Sequence, residues 1–273
     1  MAQSKVITLA NQKGGTGKTT TAYNLGYALA EMGKRVLLVD FDPQSNLTGY
    51  FTTETELKDH LTIPRLLAAL MAIDDTSENE TLPDMRQAVI SGSAMDILPS
   101  TLDLSVEETN LNNEMGSEYF LDRILDPLRP DYDYIIIDTN PSLGKLTINA
   151  LVACDSVIIP ACPELWSATG LNALVQNIMR VKKRLNRRIV VDGILLTSCD
   201  ERTRLFHKAK DLIEEYFYAL KVFEARIPRS TKVGEANFNA QGITEFCKTN
   251  IASQAYAAFA KEVSENERKA GNE

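Results

Sequence analysis

Eight residues, Lys13-Gly14-Gly15-Thr16-Gly17-Lys18-Thr19-Thr20, constrain this chain more than any other stretch. They follow an apolar run, Val6-Ile7-Thr8-Leu9-Ala10, and precede Thr21 to Ala30, which reads as a helix. Strand, glycine loop and helix in that order make a phosphate-binding loop. Glycines let successive backbone N–H groups point inward without Cβ clashes, and the positive end of the following helix attracts an anion. Lys18 is placed to reach the β- and γ-phosphates of a nucleotide, and the Thr19 hydroxyl to ligate Mg²⁺. The general pattern G-x-x-x-x-G-K-[ST] is not met in full: Gln12 stands at its first glycine, and a second lysine, Lys13, follows.

A loop of this kind needs a parallel α/β sheet, and the rest of the chain is patterned for one. Short apolar runs alternate with longer helical stretches over 273 residues, and at 44% hydrophobic the chain can bury a substantial core. The expected fold is α/β, a single doubly wound P-loop NTPase domain over residues 1–273 with a mostly parallel central sheet flanked by helices. Strands are expected near residues 5–11, 35–40, 95–98, 134–138, 156–160, 189–197 and 222–227. Asp74 to Pro83, polar and acidic, is expected to be a surface excursion. Two more boxes place carboxylates at strand ends, where parallel sheets bind ligands. Arg35 to Val39 leads into Asp40-Phe41-Asp42-Pro43-Gln44, and Tyr134-Ile135-Ile136-Ile137 ends on Asp138. A carboxylate in the second position suits a Mg²⁺ ion held through water.

Together these boxes resemble those of the ParA/MinD superfamily of P-loop ATPases. KGGTGKTT is similar to the family's deviant Walker A box and Asp40 to Gln44 to its switch I box, D-x-D-P-Q. Asp138-Thr139-Asn140-Pro141-Ser142-Leu143-Gly144 is similar to D-x-P-P-x-L-G, with Asn140 where the family has proline. Leu98 to Leu104, Ser156 to Pro160 with Pro163-Glu164, Gly193 to Thr197 and Ile227-Pro228-Arg229 resemble segments of partition ATPases, so the resemblance covers nearly the whole chain. It implies ATP and Mg²⁺ as cofactors, weak ATP hydrolysis, and an ATP-dependent homodimer in which Lys13 reaches the partner's nucleotide. Gly14, Gly15, Thr16, Gly17, Lys18, Thr19 and Thr20 would hold the phosphates. Thr19, Asp42 and Asp138 would serve the metal and Asp40 its water shell, with Asp42 also orienting the attacking water. The base would lie between Thr197-Ser198 and the Ile227-Pro228 loop, bringing in Pro228. Because the first strand begins almost at the N-terminus, the chain resembles the compact, Soj-like form without an N-terminal helix-turn-helix domain. The function implied is DNA partition of a plasmid or chromosome, with hydrolysis stimulated by a ParB-like centromere-binding protein, in a cytoplasmic, nucleoid-associated setting.

A net charge of −8 argues against a protein that coats nucleic acid indiscriminately. Charge is nevertheless uneven. Arg180 to Arg188 reads R-V-K-K-R-L-N-R-R, six basic residues and no acid, and Arg202, Arg204, Lys208 and Lys210 form a second group. The first group equally suits a solvated helix C-terminus, where cations complement the dipole. By the resemblance, contacts to non-specific double-stranded DNA fall on Arg202, within Asp200-Glu201-Arg202-Thr203, and on Lys232, after Ile227-Pro228-Arg229.

Two other classes fit less well. A MinD-like positioning ATPase uses a C-terminal amphipathic helix to insert into lipid, but Glu262 to Glu273 has four glutamates against Arg268 and Lys269, net −2, and Val263 as its one bulky apolar residue. No membrane partner is therefore expected. A metal-cluster P-loop enzyme would need a cysteine site and a metabolic one a second substrate pocket, and neither is evident: Cys154, Cys162, Cys199 and Cys247 stand apart with no C-x-x-C pair and read as reduced, mostly buried thiols. His60 and His207 have no metal-ligand spacing and are expected to be exposed or to cap helices. No apolar stretch is long enough to span a bilayer, and no signal peptide precedes the first strand.

Overall fold

Continuous apolar runs such as Ile135-Ile136-Ile137 bury both faces of a strand, and each central strand here sends alternate side chains into two separate cores. Val6, Leu37, Val39, Ile135 and Ile137 face one. Ile7, Leu9, Leu38, Ile136 and Ile158 face the other. This is seen in a computed structural model that describes residues 4–72, 82–163 and 167–270. Most of the acidic stretch expected as an excursion, residues 74–81, lies outside the described residues, as does Glu164.

The chain runs β1 (Lys5–Leu9), α1 (Lys18–Glu31), β2 (Val36–Phe41), α2 (Ile63–Ala72), β3 (Ile90–Ser91), β4 (Asp96–Leu98), α3 (Leu104–Leu111) and α4 (Phe120–Leu125). It continues through β5 (Tyr134–Thr139), α5 (Lys145–Ala153), β6 (Ser156–Ala161), α6 (Ser167–Arg184), β7 (Val190–Cys199) and α7 (Arg204–Tyr216). Last come β8 (Val222–Pro228), α8 (Thr231–Phe238), α9 (Ile243–Phe246) and α10 (Ile251–Ala270). The sheet order is β3-β4-β2-β5-β1-β6-β7-β8, and β3 pairs with β4 as the antiparallel exception. Helices α2 to α7 cover one face, while α1, α8, α9 and α10 cover the other. The doubly wound parallel sheet is as expected. The sequence reading missed β3, because two residues carry no period to read. It also ran β1 too far, since Ala10 and Asn11 leave the sheet to begin the glycine loop.

Helix α10 bears on the question of a membrane anchor. Val263 is buried with Ala252, Tyr256, Phe259 and Ala260 in the core over α1 and β8. Phe259 meets Phe223 edge-on at 4.9 Å, and Glu262 accepts from the Glu224 and Ala225 amides and pairs with Lys221 Nζ at 2.7 Å. Burying side chains of this size contributes about 1.5–3 kcal/mol each, so the helix belongs to the domain. Among the described residues no helix is long and apolar enough to cross a membrane.

The expectation of mostly buried thiols is only half right. Cys154 and Cys199 are buried, and burial pushes both thiols up to about 12. Cys162 and Cys247 are half-buried. His207 is exposed and its Nε2 contacts the Glu201 carbonyl at 2.9 Å just before α7, while His60 is half-buried with Nε2 3.1 Å from the Ala88 carbonyl.

Candidate nucleotide site

Strand register assembles the site. β1 and β2 both flank β5, so that Leu9 and Asp40 each align with Asp138, and the loop that follows β1 lies over two acidic strand ends. Gly15 (φ 72°) and Gly17 (φ 82°) adopt the left-handed conformation that disfavours any side chain, which curls the backbone over the start of α1. A Cβ built on Gly14 or Gly15 would meet no atom within 4 Å, so the crown of the loop opens outward, as a phosphate cradle must. Lys18, the first residue of α1, is 7% exposed and Thr19 follows it.

The electrostatics beneath that loop are unbalanced. Asp40, Asp42 and Asp138 are all buried near one another, and the buried Lys18 ammonium faces Asp138 and Asp42. Burial lowers the Lys18 pKa, while Asp138 and Asp42 oppose the shift. Burial pushes the Asp138 carboxyl well up, Asp40 adds to this, and the nearby Thr19 hydroxyl and Lys18 pull the other way. Neither Asp138 oxygen has a partner of good hydrogen-bond geometry. A buried carboxylate left so costs free energy that a cation or its waters would recover. Mg²⁺ fits: it favours oxygen ligands and keeps several waters, and a carboxylate beside a threonine hydroxyl and nucleotide phosphates suits it. Among the described residues no cluster of three or more His, Cys, Asp or Glu could hold a metal alone.

Asp40 differs from Asp138 in being fully engaged. Its Oδ2 accepts from the Thr48 amide and hydroxyl, both at 2.7 Å, and its Oδ1 from the Asp42 amide at 3.3 Å. Burial still pushes its carboxyl up to about 6, with the Thr48 bonds acting against the shift. Asp42 Oδ1 accepts from the Gln44 amide at 2.9 Å, which sets the turn of the switch I segment. Asn140 is buried, and its Oδ1 accepts from the hydroxyls of Ser142 (3.1 Å) and Thr147 (3.3 Å). Side-chain bonds thus stiffen the loop at the place where the family has a proline ring.

Several supporting residues escaped the sequence reading. Thr48 sits eight residues past Asp40, with no spacing to flag it, and its hydroxyl also accepts from the Ser100 amide at 3.0 Å. Asn11 accepts from the Lys13 amide at 3.0 Å and donates to the Pro160 carbonyl at 2.7 Å, anchoring the loop to β6. Thr197, named in the sequence reading only as a flank of the base, donates to the Thr16 carbonyl at 2.8 Å from near the end of β7. Cys162 Sγ lies 3.6 Å from the Thr197 hydroxyl and 3.7 Å from the Gly15 carbonyl. A polar residue leaving a strand is the one faint signal that sequence offers for such ties.

Not every expected residue converges here. Pro228 ends β8, three strands from β1, where it aligns with Cys199 and lines a cleft of about 890 Å³ with Asp200, Arg202 and Arg229. Arg202 reaches that cleft with its guanidinium doubly bonded to Asp200, at 2.8 and 3.0 Å. Lys232 pairs with Glu235 at 2.5 Å one turn along α8. The Arg180 to Arg188 run closes α6 and the turn after it. Arg180 and Arg184 there flank an apolar groove lined by Leu143, Ile148, Leu151 and Leu185.

Comparison with known proteins adds to the geometry. A family model described as an AAA domain matches residues 4–191. The sporulation initiation inhibitor protein Soj of Bacillus subtilis (strain 168) is 38% identical, over 96% of this chain and 99% of its own length. The chromosome partitioning protein ParA of Caulobacter vibrioides is 37% identical, over 97% and 95%. Among solved structures, cobyrinic acid a,c-diamide synthase from Mycobacterium smegmatis, with bound ATP analogue and magnesium, superposes with a TM-score of 0.81 at 31% identity, covering 97% of this chain and 96% of that one.

Proposed function

The chain belongs to the ParA- and Soj-type partition ATPases of the ParA/MinD superfamily, and from that membership we propose that it binds ATP with Mg²⁺, dimerises on the bound nucleotide and then holds double-stranded DNA regardless of sequence. Hydrolysis, stimulated by a ParB-like centromere-binding protein, releases the DNA and so moves a plasmid or chromosome. One observation carries the reading: an open, left-handed glycine loop stands over a buried carboxylate, Asp138, neither of whose oxygens has a hydrogen-bond partner of good geometry. A bound anion and a divalent cation are what that pairing calls for.

The division of labour follows from position. The loop amides from Gly14 to Thr20 and the Lys18 ammonium hold phosphate oxygens, with Thr19 and Asp138 holding Mg²⁺ and Asp42 close by. Mg²⁺, when bound, offsets the charge that develops on the transferred phosphoryl group. Asp42 orients water for in-line attack, and Thr48 keeps Asp40 aimed at the metal's water shell. Lys13 is exposed at the crown of the loop, where it reaches a second copy's nucleotide, with the base extending toward the cleft that Pro228 lines. Arg202 and Lys232 contact DNA phosphates, and dimerisation doubles each patch along one surface, so affinity arises from avidity. The protein then resides on the nucleoid in the cytoplasm. The two partition relatives, at 38% and 37% identity, outweigh the 31% likeness to a metabolic synthase.

Co-sedimentation with two unrelated duplexes tests this. Binding is expected with ATP and Mg²⁺, equally for both sequences, and not with ADP or without nucleotide. Strong binding by the nucleotide-free protein would defeat the reading.

A further inference from the structure

Helix α8 carries Lys232 in its first turn and Asn237 about one and a half turns on. Asn237 is exposed, yet its amide makes two bonds to other elements. Nδ2 donates to the Thr20 hydroxyl at 3.4 Å, and Oδ1 accepts from the Tyr50 hydroxyl at 2.8 Å. Thr20 is the last residue of the glycine-loop motif, next to Thr19. Tyr50 closes the short 3₁₀ turn Thr48–Tyr50, whose first residue grips Asp40. Tyr50 in turn stacks on Tyr23 of α1 at 4.4 Å, which limits the swing of its ring. One amide on α8 therefore touches both segments that frame the phosphates, and the same rigid helix ends at the proposed DNA contact.

We propose that Asn237 is a positioning residue that couples the nucleotide site to α8: ordering of the loop and of the switch I segment around a bound nucleotide fixes the Thr20 and Tyr50 hydroxyls, and through them the orientation of α8 and of Lys232. The physical content is a differential one. Two hydroxyls held still offer Asn237 a better pair of partners than two mobile ones, so α8 is better ordered with nucleotide than without. By linkage, whatever DNA gains from bound nucleotide, nucleotide gains from bound DNA by the same factor.

The first test needs no DNA. Hydrogen exchange of the α8 amides, measured on the full chain with and without a non-hydrolysable ATP analogue and Mg²⁺, should slow on nucleotide addition in the wild type. In Asn237→Ala that slowing should vanish, while affinity for the analogue stays within about twofold. Tyr50→Phe, which keeps the ring stack and loses one of the two bonds, should give an intermediate result. Equal slowing in all three proteins would overturn the proposal. The second readout rests on the proposed DNA binding: Asn237→Ala should lower ATP-dependent DNA affinity about fivefold and reduce the effect of DNA on nucleotide affinity by the same factor. A residue that only supports the fold would weaken binding without changing that ratio. If exchange responds as expected and the wild type fails to bind DNA, the coupling stands and the DNA-binding part of the proposed function falls.

Discussion

The glycine loop and the Arg202–Lys232 rim use positive charge in opposite ways. At the loop, Lys18 is buried beside Asp42 and Asp138, and the backbone is tied down by Asn11 and Thr197. Much of its shape is set by the protein's own bonds. At the rim, Arg202 and Lys232 are exposed, and each is engaged by an acid from its own segment, Asp200 and Glu235. The loop is built for one ligand in one geometry. The rim offers exposed, partly neutralised charge, which suits a partner whose register is indifferent and whose affinity must be switchable.

Four experiments press on that contrast. The largest effect belongs to Asp42→Ala, which removes the group proposed to orient water and none that hold phosphate. Single-turnover hydrolysis should fall by about 10²- to 10⁴-fold while ATP binding persists, leaving the variant accumulated on DNA. Hydrolysis at the wild-type rate would remove Asp42 from the mechanism.

The two lysines of the loop should fail differently. Lys18→Ala loses a charge-assisted phosphate contact and should weaken ATP binding by about 10- to 100-fold, as read by equilibrium titration. Lys13→Gln should bind ATP nearly as well as the wild type yet fail to dimerise in light scattering. A normal ATP dimer in that variant would end the proposed role of Lys13 in the partner's site.

At the β7 end, Thr197→Val deletes a buried hydroxyl bonded to the loop carbonyl. It should cost about 1–2 kcal/mol of stability by denaturant unfolding and loosen ATP binding a few-fold. An unchanged midpoint with unchanged ATP affinity would show that the loop holds its shape without this tie.

The smallest effects are expected at the rim. Neutralising Arg202 or Lys232 should lower the slope of log affinity against log salt by about one unit per lost phosphate contact, equally on unrelated duplexes. Glu235→Gln, which releases Lys232, should tighten DNA binding by no more than about fivefold, the upper range for an exposed pair. If the Arg202 and Lys232 variants keep the wild-type slope, the DNA surface passes to Arg180 to Arg188, where the sequence places no acid.

Much of the nucleotide site could be read from the chain because its parts are local. A glycine that must adopt positive φ, a lysine at the first position of a helix and a carboxylate closing an apolar strand are each specified within a few residues. Parallel order followed from alternating runs, and β3 escaped because two residues show no period. Asn140 departs from the family's motif in sequence, and the structure answers that departure with bonds from Ser142 and Thr147.

What sequence by itself determined is therefore the class of fold, the glycine loop and the carboxylates that close the neighbouring strands, since local propensity and spacing carry that information. Tertiary structure alone decided what those residues face. Register across β2 and β5 set Asp40 beside Asp138, and separations of 8, 181 and 217 residues brought Thr48 to Asp40, Thr197 to Thr16 and Asn237 to Thr20. Contacts of that kind depend on how helices pack over a twisted sheet, and no short window of sequence encodes them.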